Sequence, residues 1–173
     1  MRWIWIDRVL ELRPRERLVA IKNITAGEDW VFNHFPAKGP SSPALPVFPG
    51  CFVVEGMAQT AGILVCEASG YREKVVLAKI GRAELTREAR PGCTLRYTAT
   101  AERIDPAGAS TRGTVELSDP QRNGGAFEVI GHIDLLFSHL DNNFAGVKFP
   151  EHNFVFSEGF KDLLRNSGFY DGE

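Results

Sequence analysis

Very little in this chain points to an oxidising compartment. It has three cysteines, an odd number with no Cys-x-x-Cys pair, which argues against both a disulfide scaffold and a zinc site. Cys51 and Cys66 lie fifteen positions apart on one expected helix, about 22 Å at 1.5 Å per residue, so they do not bridge. Neither sign of charge dominates. Twenty Lys and Arg face 22 Asp and Glu, a net of −2, which gives no case for nucleic acid or an anionic membrane as the main partner. Met1-Arg2-Trp3-Ile4-Trp5-Ile6-Asp7 lacks the positive region, apolar core and cleavage site of a signal peptide, so a reducing cytoplasm is the expected location. No apolar run is long enough for a membrane span. The longest, Cys51 to Cys66, stops at sixteen residues and carries Glu55 and Gln59 in its middle.

That run is what the rest is organised around. At 173 residues the chain has the length of a single domain with a substantial core. Within Cys51–Cys66 only Glu55, Gln59 and Thr60 are clearly polar, so the segment reads as a helix buried on all sides. Pro49 suits its first turn, where a missing N–H costs nothing, and Ser69-Gly70 marks its end. A carboxylate on such a helix needs a partner. Glu55 and Gln59 are four apart and share a face, so the amide is placed to hold and orient the acid. That pairing serves a structural glutamate as well as a catalytic one.

Around the helix the sequence reads as strands. Trp3 to Leu12 and Leu18 to Thr25 precede it, with an apolar stretch from Trp30 that ends at Asn33-His34-Phe35-Pro36. Ala37 to Pro46 is rich in Pro, Gly and Ser and reads as irregular. Lys74 to Leu85, Thr94 to Ile104, Ser110 to Leu117 and Phe127 to Phe137 follow, divided by Pro- and Gly-bearing turns. The expected architecture is α+β, a curved antiparallel sheet of about six strands wrapped around one long buried central helix. Residues 1–141 make the domain. Residues 142–173 form an aromatic-rich extension packed on it, with a short amphipathic helix around Glu158 to Arg165.

The order of these pieces is specific. His34-Phe35-Pro36 followed by Pro46-Val47-Phe48-Pro49-Gly50-Cys51-Phe52-Val53-Val54-Glu55-Gly56-Met57-Ala58-Gln59 resembles the signature of the 3-hydroxyacyl-acyl carrier protein dehydratases of the FabZ and FabA type. Ile6-Asp7-Arg8-Val9-Leu10-Glu11, Val19 to Thr25, and Ile80-Gly81-Arg82-Ala83-Glu84-Leu85 running to Pro91-Gly92 are similar to that family too. The resemblance covers Trp3 to Phe137 and implies the hot-dog fold. It also implies a homodimer, or a larger assembly such as a trimer of dimers, whose active sites take a histidine from one subunit and an acid from the helix of the other. By the same resemblance His34 is the catalytic histidine and Glu55 the catalytic acid. Gly50 and Cys51 offer backbone N–H groups to the substrate oxygen, and Phe35, Pro36 and Pro49 line the substrate. Glutamate at position 55 is FabZ-like, whereas Cys51 is a FabA-like touch.

The chemistry explains the residue types. Dehydration of a 3-hydroxyacyl thioester to the trans-2-enoyl thioester removes a weakly acidic C2 proton and protonates the departing C3 hydroxyl. An imidazole suits the first task. A carboxyl group in an apolar site holds its proton more readily, which suits the second. Free N–H groups at a helix start meet the charge that builds on the thioester oxygen. The scheme requires no cofactor and no metal, and His132, His139 and His152 show no ligand spacing with His34. The partner it implies is an acyl carrier protein bearing a phosphopantetheine-linked chain. Lys79, Arg82, Arg87 and Arg90 are candidates to receive it, or else an ordinary solvated strand face.

Two departures stand out. His34 and Glu55 are twenty-one positions apart, more than the family pattern usually has, while Gly50 to Glu55 keeps its spacing. The surplus falls within Ala37 to Leu45 and reads as an enlarged loop at the site's mouth. Asn33 replaces the usual glycine, and asparagine tolerates the same backbone. The rival readings are a hot-dog thioesterase that uses Glu55 to activate water, and a non-catalytic acyl-binding hot-dog protein.

Overall fold

Alternation along the strands builds the sheet. In the fourth strand Leu95, Tyr97 and Ala99 are sealed from solvent while Arg96, Thr98 and Thr100 between them are not. The computed structural model describes residues 3–32, 34, 35, 37, 38, 46–140, 146, 149, 150, 153 and 155–171 (Phe32 and Asn123 by their backbone alone). Six strands, β1 (Arg8–Arg13), β2 (Arg17–Asn23), β3 (Val75–Leu85), β4 (Thr94–Asp105), β5 (Gly108–Ser118) and β6 (Phe127–His139), pair antiparallel in the order β1-β2-β4-β5-β6-β3. The helices among the described residues are α1 (Asp29–Phe32), α2 (Gly50–Glu67), α3 (Pro120–Asn123) and α4 (Glu158–Ser167).

α2 is the rod inside the sheet. Met57, Ala61, Leu64 and Val65 on it are fully buried with Leu18, Leu95, Tyr97, Val115 and Ile133 of the strands. Close approach fixes its position. A Cβ at Gly56 would lie 2.6 Å from the Tyr97 hydroxyl, so glycine alone fits there. Eighteen residues make α2 two longer than the apolar run. Among the described residues it is the one helix long and apolar enough to cross a membrane, and here it is the core of a sheet.

The structure corrects three expectations. The first strand starts at Arg8 rather than Trp3, because the backbone of Trp3 and Trp5 bonds the Gln59 side chain instead of a strand neighbour. The stretch from Trp30 is a helical turn, α1, and not a strand. Glu28 accepts bonds from Thr25 N (3.2 Å) and Trp30 Nε1 (2.8 Å), which turns the chain, and the Trp30 ring then packs on Phe48. The turn after β5 contains α3, where the Asp119 side chain caps Gln121 N at 3.0 Å and Pro120 opens the helix. The expected boundary at 141/142 lies outside the described residues.

Candidate active site

The start of α2 is held by aromatic packing. Phe48 N donates to Ala89 O at 2.8 Å, its ring packs on Trp5, Trp30 and Phe52, and Trp5 stacks on Phe52 at 4.0 Å. Pro49 closes the first turn by accepting from Phe52 N (2.9 Å) and Val53 N (3.3 Å). The N–H groups of Gly50 and Cys51 make no backbone bond among the described residues, and both residues are exposed. They stand at the positive end of the helix dipole, as an oxyanion contact requires.

One turn on, Glu55 is half-buried rather than enclosed, as are Val54, Ala58 and Gly62 on the same face of α2, while Cys51 is exposed. Its Oε1 accepts from Gln59 Nε2 (2.9 Å) and Trp3 Nε1 (3.2 Å). Gln59 is buried and used at both ends. Nε2 also donates to Trp3 O (3.1 Å) and Oε1 accepts from Trp5 N (2.8 Å). The amide therefore ties the N-terminal segment to the helix and fixes the carboxylate's rotamer.

Glu55 opens a cleft of about 280 Å³ that follows one face of α2 through Ala58, Gln59, Gly62 and Ile63 to Cys66. Val75 to Leu77 of β3, Phe137 of β6, and Val155, Phe156 and Phe160 complete the walls. Burial pushes the Cys66 thiol up to about 12, so it is neutral and inert, whereas Cys51 is exposed.

His34 belongs to a different segment. It follows α1, donating its N–H to Val31 O at 3.2 Å, and its ring lies beside Phe35, which is 81 % exposed. The position of α1 is fixed through Glu28, which with Asp7 holds the buried Lys22 ammonium, each at 3.1 Å. Among the described residues no hydrogen bond joins His34 to Glu55 within one chain. Of the expected site residues, Glu55, Gln59, Pro49, Gly50 and Cys51 share α2 and its first turn, while His34 and Phe35 stand on the segment after α1. Pro36 and Asn33 lie outside the described residues, as does most of the Ala37 to Leu45 loop.

The expected basic run is largely neutralised. Arg82 pairs with Glu84 (2.6 Å), Arg87 with Glu128 (2.5 Å) and Arg90 with Glu88 (3.1 Å), which favours the plain strand-face reading. Sequence reasoning missed Trp3, whose indole reaches the acid; no periodicity marks a donor that arrives from a non-strand segment. It also missed Phe156 and Phe160, seen only as part of an aromatic-rich tail.

Residues 3–117 match the FabA-like domain. Among curated proteins, the chain is 31 % identical over 137 residues to a 3-hydroxyacyl-[acyl-carrier-protein] dehydratase FabZ of Desulforamulus reducens, covering 79 % of this chain and 86 % of that protein. It is 38 % identical over 103 residues to the FabZ of Alkalilimnicola ehrlichii, covering 57 % of this chain and 62 % of that protein. The match thus spans less than two thirds of the latter's length, as it does for the FabZ of Campylobacter concisus, at 64 %. Among solved structures, a dehydratase heterocomplex, ApeI:P from Xenorhabdus doucetiae, superposes with a TM-score of 0.56 at 12 % identity, over 79 % of this chain and 83 % of that one. An acyl-CoA hydrolase variant from Staphylococcus aureus in complex with coenzyme A gives 0.55 at 15 % identity, over 94 % and 88 %. A dehydratase and a hydrolase share this architecture, so the superpositions carry the hot-dog fold and the sequence relatives carry the family. By the match over residues 3–117 and the FabZ relatives, this chain belongs to the FabA-like dehydratase family.

Proposed function

We propose that the protein removes water from 3-hydroxyacyl thioesters carried on an acyl carrier protein, giving trans-2-enoyl thioesters in fatty acid or related lipid synthesis in the cytoplasm. The observation that carries this reading is the carboxylate of Glu55, fixed by Gln59 and Trp3 at the polar end of an apolar cleft, beside a helix start whose first N–H groups make no backbone bond among the described residues. The thioester oxygen sits at the N–H groups of Gly50 and Cys51 and the acyl chain follows the α2 face. His34 of a second copy takes the C2 proton. The C2–H electron pair becomes the C2=C3 double bond, the C3–O bond breaks, and the Glu55 carboxyl gives the proton that leaves with the hydroxyl as water. Solvent returns the proton from His34 to Glu55.

A second copy is supported by what one chain leaves uncovered. β3 is an edge strand of eleven residues, eight of them exposed, with Leu77 and Ile80 among them. The half-buried stripe of α2 and the exposed Phe35 add apolar surface that a homodimer would bury. The test is product analysis with a 3-hydroxyacyl carrier protein. Formation of the enoyl thioester, lost by about 100-fold or more in His34→Ala and in Glu55→Gln, is expected. Release of free thiol without enoyl product would instead make the protein a thioesterase, and binding without either product an acyl-binding protein.

A further inference from the structure

We propose that the C-terminal segment, through Phe156 and Phe160, closes the far end of the Glu55 cleft and sets the longest acyl chain the protein accepts. The inference rests on Glu55 marking the head of the site, and it assigns a specificity role to a segment beyond residues 3–117.

The cleft is polar at one end only. Glu55, Gln59 and the Trp3 indole stand at its head, and beyond them come Ala58, Gly62, Ile63 and Phe137. From Glu55 to Cys66 the helix face runs about 16 Å at 1.5 Å per residue, room for a ligand with a polar head and an extended apolar tail. Gly62 keeps its floor low. A Cβ there would find only Phe137 Cε1, at 3.8 Å, whereas Gly56 on the opposite side is forced by Tyr97. Packing demands glycine at position 56. At position 62 the missing side chain is empty cleft.

Phe156 stands where the floor ends. It is 4 % exposed and stacks on Tyr71 at 4.4 Å, and Tyr71 N bonds Cys66 O, the last turn of α2, at 2.8 Å. Asn153 fixes this ring's backbone on both sides. Its Nδ2 donates to Tyr71 O (3.0 Å) and Glu73 O (2.9 Å), while its Oδ1 accepts from Val155 N and Phe156 N, each at 3.1 Å. Phe160 sits on α4, which is docked on β1 by the bond from Val9 N to Ser167 Oγ (3.1 Å) and on the segment before β1 by Gly159, where a Cβ would stand 2.9 Å from Ile4. The two rings are therefore a fixed wall and not a flap.

The experiment measures affinity for a graded series of saturated acyl-pantetheines by tryptophan fluorescence, together with kcat/KM for 3-hydroxyacyl thioesters of the same lengths. In the parent protein each added methylene should tighten binding about fourfold until a cut-off length, where the gain stops. Phe156→Ala should move the cut-off to longer chains by two or more carbons and leave shorter ones unchanged. Gly62→Leu, which fills the cleft from the helix side and does not disturb the tail, should move it to shorter chains. Circular dichroism confirms that each variant is folded, and Phe160→Leu replaces Phe156→Ala if the latter is not. An unchanged cut-off in folded tail variants would overturn the proposal. A shifted cut-off in binding with no enoyl product from any protein would leave the wall in place and overturn the dehydratase reading instead.

Discussion

Two glycines on α2, six positions apart, do opposite things. Gly56 is under Tyr97, so Gly56→Ala should overpack the core and cost about 1–3 kcal/mol. At Gly62 a Cβ would make only an ordinary contact with Phe137 Cε1 at 3.8 Å, so Gly62→Ala should stabilise the helix by about 0.5–1 kcal/mol. Denaturant unfolding of the pair checks both signs. The Tyr97 hydroxyl itself is buried with no hydrogen-bond partner among the described residues, and burial raises its pKa far above the usual phenol range. Tyr97→Phe should therefore keep or raise stability, by up to about 1 kcal/mol, because the orphaned group's desolvation cost disappears. Cysteine alkylation at pH 8 reads burial directly. Cys51 should react within minutes while Cys66, a thiol up to about pH 12, stays unmodified until the protein unfolds. Rapid labelling of Cys66 in the native protein would contradict the packing of the cleft's far end.

Among the elements, α1 depends on a single buried cation. Lys22 is held by Asp7 from the N-terminal segment and by Glu28 from the turn into α1, so Lys22→Ala would strand two carboxylates. The expected cost is on the order of 3 kcal/mol, reduced by the partial exposure of Asp7, with a lower thermal midpoint and a fall in activity as His34 loses its support. An unchanged midpoint would show the network to be ornamental. The same region shows what a sequence yields and what it withholds. α2 was legible because only three of its sixteen central residues are clearly polar, and β4 because Leu95, Tyr97 and Ala99 alternate with polar residues. The pairing of Glu55 with Gln59 followed from helical spacing alone. α1 was not legible, since Trp30 and Val31 suit a strand and the deciding contact is a Glu28 side chain capturing the Trp30 indole. Trp3 on Glu55 was hidden for a similar reason. Long-range side-chain bonds that replace a strand ladder leave no local pattern.

For the whole molecule, the β3 edge and the half-buried face of α2 are apolar surfaces among the described residues that one symmetric partner is expected to cover. Ile80 is 46 % exposed at the sheet edge, so Ile80→Glu should shift the protein toward monomer in sedimentation and remove activity while the fold persists. A monomeric yet fully active variant would place the whole site in one chain. The most direct measurement of the central claim uses two dead proteins. His34→Ala and Glu55→Gln are each unfolded and refolded together in equal amounts, and dehydration is assayed. If each site combines the imidazole of one subunit with the acid of the other, every mixed dimer has one intact site and the mixture should regain about a quarter of the parent activity. If both groups act within a single chain, no mixed dimer holds an intact site, and a mixture as inactive as its components would contradict the account.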